Sequence, residues 1–309
     1  MKIKNKSILV TGGGGFIGYH LIKKLLEKNC NITIFDKDLS HKAGSNIFRK
    51  CKYIQGDITK NKDLLKLGIK YDCIFHLASN ASVPESVDNP EMDFMINAQG
   101  TLMVLEFARK MKIKKVVYTS TVSVFDRYNI QPISETSQIK VSSPYGASKL
   151  AGESYCYAYH RTYGINTNIV RLFNVYGPGM RKHFIYDMIN KINDADERIE
   201  IMGNGKQVRD YLYIDDVVDG ILLITEKGAI GEDYNLSSGI KTRIVDIVSI
   251  LIKLMGKSHL NVITTNKTWA GDILEWYADI SKIKKLGFEP KISLQKGLKQ
   301  TIKDILNNE

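Results

Sequence analysis

Ser7-Ile8-Leu9-Val10-Thr11-Gly12-Gly13-Gly14-Gly15-Phe16-Ile17-Gly18 decides the fold. A short apolar run ends in glycines, and the glycines open an amphipathic helical pattern over 16–28. The next apolar run, 31–35, is followed at once by an acid, Asp36. Strand, glycine turn, helix, strand and acid in that order make a site for a dinucleotide. Gly12 allows the tight turn, and Gly15 lets backbone N–H groups and the helix dipole approach a pyrophosphate. Gly18 permits close helix–strand packing. Asp36 would accept hydrogen bonds from the adenosine ribose and repel a 2′-phosphate, which favours NAD over NADP. Lys37 beside it pulls weakly the other way.

The same rhythm runs outward from this unit. Strands are expected over 7–11, 31–35, 53–55, 73–77, 116–120 and 166–173, with helices over 16–28, 63–67, 92–111 and 145–163. Such alternation implies right-handed βαβ crossovers and a parallel sheet. After Asn174 the loops lengthen, and short strands (199–202, 211–214, 234–236) mix with helices over 184–192, 214–224 and 244–255. The expected architecture is α/β: a Rossmann-type doubly wound parallel sheet over 1–173, then a smaller mixed α/β substrate lobe over 174–309. Later segments are free to cross back. The lobe would lie over the carboxyl edge of the sheet, where open α/β folds bind ligands.

Composition excludes several classes. The 309 residues are 43% hydrophobic and 25% charged, which is ordinary for a globular chain. No run has the length of a signal-peptide core or a membrane span, so a cytoplasmic protein without membrane partners is expected. Cys30, Cys51, Cys73 and Cys156 are scattered without ligand spacing, so neither a disulfide framework nor a metal is expected. The net charge of +11 raises the question of nucleic acid. Of 44 basic residues only 9 are arginine, however, and the lysines are spread along the chain. A solvated surface that attracts anionic substrates is the better reading, with no nucleic-acid partner.

The glycine spacing GxxGxxG, within Thr11-Gly12-Gly13-Gly14-Gly15-Phe16-Ile17-Gly18, resembles the extended short-chain dehydrogenase/reductase family. Other segments match in the family's order along essentially the whole chain. By that resemblance Phe16 and Ile17 border the cofactor, and Gly56-Asp57-Ile58 supplies the aspartate at the adenine amine. Phe75-His76-Leu77-Ala78 would close the fourth strand under the dinucleotide, and Asn97-Ala98-Gln99-Gly100-Thr101 matches the following helix. The resemblance implies bound NAD and a homodimer formed by helices over 101–111 and 148–163.

Tyr145 and Lys149 stand four apart at the start of a helix and so share a face. Thr121 closes a strand at the ligand edge. This hydroxyl with YxxxK resembles the family's catalytic triad. A tyrosine of ordinary pKa, about 10, is a poor base at neutral pH. The Lys149 ammonium and the positive nicotinamide are expected to favour its phenolate, so that it can take a proton from a sugar hydroxyl. Thr121 would hold the same oxygen. The family's dehydratases and decarboxylases carry an acid just after the threonine, where this chain has Val122-Ser123. Elimination and decarboxylation are therefore disfavoured.

Arg171-Leu172-Phe173-Asn174-Val175-Tyr176-Gly177-Pro178 and Gly203-Asn204-Gly205-Lys206-Gln207-Val208-Arg209-Asp210-Tyr211 resemble segments of sugar-nucleotide epimerases. The resemblance gives Asn174 and Arg209 the substrate's diphosphate. A late segment departs from the pattern. Trp269-Ala270-Gly271-Asp272 keeps Gly271 and Asp272, but tryptophan replaces an arginine, so Trp269 would stack on the base or pack. Lys182 and Lys267 are the candidate cations for the missing charge. Trp276 falls near the family's gate for the sugar's C2 substituent, where bulk disfavours N-acetyl groups. The partner expected is thus a nucleotide-diphosphate sugar, a UDP-hexose above all. Three activities stay open: 4-epimerisation through a transient 4-keto sugar, net 4-keto reduction or C4 oxidation, and a non-catalytic dinucleotide-sensing or RNA-associated role.

Overall fold

The computed structural model of the chain describes residues 1–38, 46–68, 70–126, 129–265 and 274–307. Its centre is a seven-stranded sheet. In chain order the first elements are β1 (Ser7–Thr11), α1 (Phe16–Glu27), β2 (Asn31–Asp36) and β3 (Lys52–Gln55). They continue with α2 (Asn61–Leu64), β4 (Cys73–His76), α3 (Val83–Asp88), α4 (Pro90–Phe94) and α5 (Gly100–Lys110). Then come β5 (Lys115–Thr121), α6 (Pro144–Tyr163) and β6 (Asn166–Leu172). All seven strands run parallel, in the order β11-β6-β5-β4-β1-β2-β3, where β11 is Glu232–Leu236. β4 and β5 are buried along their whole length. That burial is why their sequences read as unbroken apolar runs rather than alternating ones.

Local chemistry fixes the helix that matters most. Ser143 caps α6 by accepting from the Gly146 N–H at 3.1 Å, and Pro144 occupies the first turn, where a missing N–H costs nothing. Gly164, left-handed at φ +68°, ends it. The side of Gly152 lies directly against the Tyr118 ring and hydroxyl, so α6 packs tightly on β5.

The second half holds β7 (Asn174–Tyr176), α7 (Phe184–Asp194), β8 (Arg198–Ile201), β9 (Val208–Arg209) and β10 (Tyr211–Tyr213). It goes on with α8 (Ile214–Lys227), β11, β12 (Thr242–Arg243), α9 (Ile244–Leu254), β13 (Asn261–Thr264), β14 (Glu275–Trp276), α10 (Ser281–Lys284) and α11 (Leu294–Leu306). Small sheets build the lobe: β7 beside β10, β8 beside β13, and β12-β9-β14. The chain does cross back. β11 is the outer strand of the large sheet, and α8 packs on α1 and β6. Both elements lie beyond residue 173, so the large sheet draws on both halves.

The helix expected over 92–111 is not regular. α4 runs into a π-helical turn at Met95–Gln99 before α5 begins. Strands of two or three residues at 174–176, 208–209, 242–243 and 275–276, and the whole of α11, were not foreseen from the sequence.

Candidate active site

The glycine turn is built by contact. Gly12 sits at φ +72°, and a Cβ there would lie 2.5 Å from the Ala78 nitrogen. β1 and the end of β4 can therefore touch backbone to backbone only with glycine at 12. A Cβ on Gly18 would meet the Gly12 carbonyl at 2.5 Å, which closes α1 onto the turn. The Gly14 N–H donates to the Asp36 carboxylate at 2.8 Å, so the acid is fixed at the mouth of the turn.

These residues line a groove of about 400 Å³ along the carboxyl edge. Of the residues predicted for the cofactor, Gly12, Gly15, Asp36, Lys37, Asp57, Ile58, Leu77 and Ala78 line it. Phe16, Ile17, Gly18, Asn97, Tyr145 and Lys149 do not. Asn97 stands behind the wall. Its amide donates to the Asn80 carbonyl (3.0 Å), Asp93 (2.9 Å) and Ser148 Oγ (3.2 Å), and its oxygen accepts from the Asn80 N–H (2.9 Å). Asn80 lines the groove and Ser148 rides on α6, so this buried network ties the groove to the helix of Tyr145. Asp93, fully buried, is its hub, accepting from Asn80, Asn97 and Ser148. The π-turn turns Asn97 into this network, and nothing in the apolar periodicity signals it.

His76 behaves as a structural group. Thr101 Oγ1 donates to the Asn97 carbonyl, so His76 Nε2, 3.0 Å from it, must be the donor of that pair. Nδ1 then accepts from Thr11 Oγ1 at 2.7 Å. Burial and the nearby Lys149 push the imidazole down to about 3, leaving it neutral.

Thr121 closes β5, and Tyr145 and Lys149 lie in the first two turns of α6. Thr121 Oγ1 accepts from the Ser123 N–H at 3.2 Å and lies 3.3 Å from Ser123 Oγ. Gly146 abuts the Ser123 carbonyl so closely that any side chain there would collide with it. That approach sets Tyr145 beside the end of β5, which Thr121 closes. Lys149 is buried, with its Nζ 4.3 Å from the Tyr118 ring centre. Among the described residues it makes no ion pair. Burial lowers its ammonium to about 8, with Glu153 opposing.

The expected lowering of Tyr145 by Lys149 is not found in the protein alone. Burial pushes the phenol up to about 12, with the Thr121 hydroxyl opposing and Asp93 adding to the rise. The physical reason is shared: both side chains lie in a low-dielectric pocket, which disfavours phenolate and ammonium alike.

Arg171, in the first of the substrate motifs, is a structural ion. It is 1% exposed and pairs with Glu153 at 2.7 Å and Asp233 at 2.5 Å. Asn174 lies against Asp210, the residue after Arg209. The Asn174 amide donates to the Asp210 carbonyl at 3.1 Å. The Asp210 carboxylate, wholly buried, accepts from the Ser238, Gly239 and Ala278 N–H groups and from Ser238 Oγ. Asp210 thus pins the lobe to the loop after β11. Arg209 pairs in register with Trp276 of β14, which sets that ring beside it. Trp269 and Asp272, with Lys267 and Gly271, lie outside the described residues. Lys182 lines the glycine groove.

Close-approaching backbone with an acid at one end of the edge, and a hydroxyl, a phenol and an ammonium further along it, suit a dinucleotide enzyme acting on an alcohol carbon. Comparison with known proteins narrows that class. The model of the NAD dependent epimerase/dehydratase family matches residues 8–237, and the chain belongs to that family. It is 30% identical to a UDP-glucose 4-epimerase of Mycolicibacterium smegmatis over 97% of this chain and 98% of that one. Its structure superposes with TM-score 0.90 on the UDP-glucose 4-epimerase of Thermotoga maritima solved with UDP-glucose. That protein is 32% identical, over 98% and 99% of the two chains. With TM-score 0.91 and 28% identity it also matches a UDP-N-acetylglucosamine 4-epimerase of Methanobrevibacter ruminantium solved with UDP-N-acetylmuramic acid, over 99% and 100%. The enzyme is accordingly an NAD-dependent epimerase by family. Among the described residues no helix is long and apolar enough to cross a membrane, and no cluster of His, Cys, Asp and Glu could hold a metal ion.

Proposed function

We propose that the protein is a UDP-hexose 4-epimerase of the UDP-glucose/UDP-galactose type. The observation that carries this reading is the surroundings of Thr121. Its hydroxyl bonds Ser123, and Val122-Ser123 stands where elimination would need a carboxylate.

The residues fit NAD: the backbone approach at Gly12 and Gly18 would be filled by any Cβ, and Asp36 is held at the groove's mouth. Gly12, Gly15, Asp36, Asp57 and Ala78 would hold it. NAD supplies the acceptor and later the donor of the C4 hydride. Tyr145 takes the proton from the C4 hydroxyl oxygen and returns it to that same oxygen as the C4 carbonyl is reduced from its opposite face. Thr121 holds that oxygen. Lys149 keeps the charge of the phenolate balanced. Asn174 and Arg209 bind the diphosphate about which the keto sugar turns, and Trp269 and Asp272 complete the substrate set. Trp276, packed beside Arg209, limits the room at C2.

The protein acts as a homodimer through α5 and α6. Tyr155 and Tyr163, exposed at 40% and 51%, flank Tyr159 in an aromatic row on α6, which Arg109 and Glu106 of α5 continue.

The test is incubation of the purified protein with UDP-glucose without added NAD(H). Formation of UDP-galactose with no net cofactor turnover is expected. A requirement for stoichiometric NADH or NADPH would make it a reductase, and no reaction with any UDP-hexose would remove the proposal.

A further inference from the structure

Two cations line the glycine groove among the described residues, Lys37 and Lys182. They come from opposite directions. Lys37 follows Asp36 at the end of β2, on the side of the ribose-binding acid. Lys182 comes from the other half of the chain, on the loop between β7 and α7. That loop lies across the start of α1. The His20 Nε2–H donates to the Pro178 carbonyl at 2.8 Å, and a Cβ on Gly179 would sit 3.8 Å from His20 and 3.9 Å from Phe16. Its far side is tied down as well. The Gly179 N–H donates to Asp304 of α11 at 2.7 Å, and Met180 is buried. The side chain of Lys182 makes no hydrogen bond or ion pair among the described residues. A held loop therefore carries an exposed, uncommitted ammonium to the turn where the backbone N–H groups of α1 converge.

We infer that Lys182 binds the diphosphate of the dinucleotide, so that a loop of the substrate half fastens the cofactor to the first half. This rests on the reading of the groove as the NAD site. A diphosphate brings two negative charges, and the helix start offers only partial positive charge. The acids along the groove, Asp36, Asp38, Asp57 and Glu85, repel it. A charge-assisted bond from an ammonium offsets both. The assignment also relieves Lys182 of the role the sequence suggested, that of replacing the arginine missing at Trp269.

The test follows release of labelled NAD from the purified holoenzyme over a salt series, with UDP affinity measured in parallel. Lys182→Met is expected to release NAD about tenfold faster than wild type and to lose most of the salt dependence. Lys182→Arg should stay near wild type, and UDP affinity should not move. Asp36→Ala should release NAD faster while keeping the salt dependence, because it removes an uncharged-partner contact. Release from Lys182→Met at the wild-type rate, or weakened UDP binding with NAD release unchanged, would overturn the inference alone. If Asp36→Ala also released NAD as wild type does, the groove reading would fall with it.

Discussion

At the scale of single residues, Tyr145 and Lys149 are best treated as one titrating pair. Burial pushes the phenol up to about 12 and the ammonium down to about 8, so the first proton leaves the pair near pH 8. A pair short of one proton includes the phenolate–ammonium form that the chemistry uses. The limb of kcat/KM should therefore rise with pH through about 8 in wild type. In Lys149→Met only the phenol is left, and the rise should move toward the Tyr145 value of about 12. A wild-type limb retained in Lys149→Met would show that another group titrates. Trp276 belongs to the same scale. Trp276→Ala should raise the ratio of kcat/KM for UDP-N-acetylglucosamine over UDP-glucose by roughly tenfold or more, since opening a pocket by several heavy atoms changes discrimination by that order. An unchanged ratio would place the gate elsewhere.

At the scale of elements, the glycine turn separates conformational strain from steric conflict. Gly12 and Gly68 both hold a positive φ, +72° and +73°, but a Cβ on Gly68 meets nothing within 4 Å. Gly68→Ala should cost about 1–3 kcal/mol, the backbone strain alone at φ +73° and ψ −168°, and keep its NAD. Gly12→Ala must also drive the β1 turn off Ala78, so it should lose NAD on gel filtration and melt well below Gly68→Ala. Equal melting and equal NAD content in the two would contradict the packing described here. This turn was legible in the sequence because a fully buried strand, a run of glycine and a periodic helix each leave a strong pattern. The 95–99 turn was not, because a π-bulge inserts into an apolar pattern without breaking it. Two-residue strands such as Val208–Arg209 have no period to read. α11 carries Gly297 in its first turn, placed there because any side chain would strike Tyr176, and that glycine masks the start of the helix. The site was legible as residue types, whereas the Asn80–Asp93–Asn97–Ser148 network that aligns it depends on contacts across three segments. The direction of the Tyr145 shift depends on burial, which spacing does not report.

At the scale of the whole molecule, two halves that read as separate lobes share one sheet, since β11 and α8 return to the first layer. The loop bearing Lys182 is a further crossing, tied to α1 through Pro178 and His20. Closing the dimer through α5 and α6 would bury the Tyr155 and Tyr163 faces, so sedimentation should give twice the chain mass. Tyr155→Glu with Tyr163→Glu should give the single-chain mass, whereas a wild-type monomer would exclude that interface. Everything in the proposed chemistry converges on one oxygen, the phenol of Tyr145. The most direct test is turnover of UDP-glucose by Tyr145→Phe with its NAD content verified. Loss of about 10²–10⁴-fold in kcat with little change in KM is the expected result for removal of a general acid–base. Wild-type kcat in that variant would contradict the account.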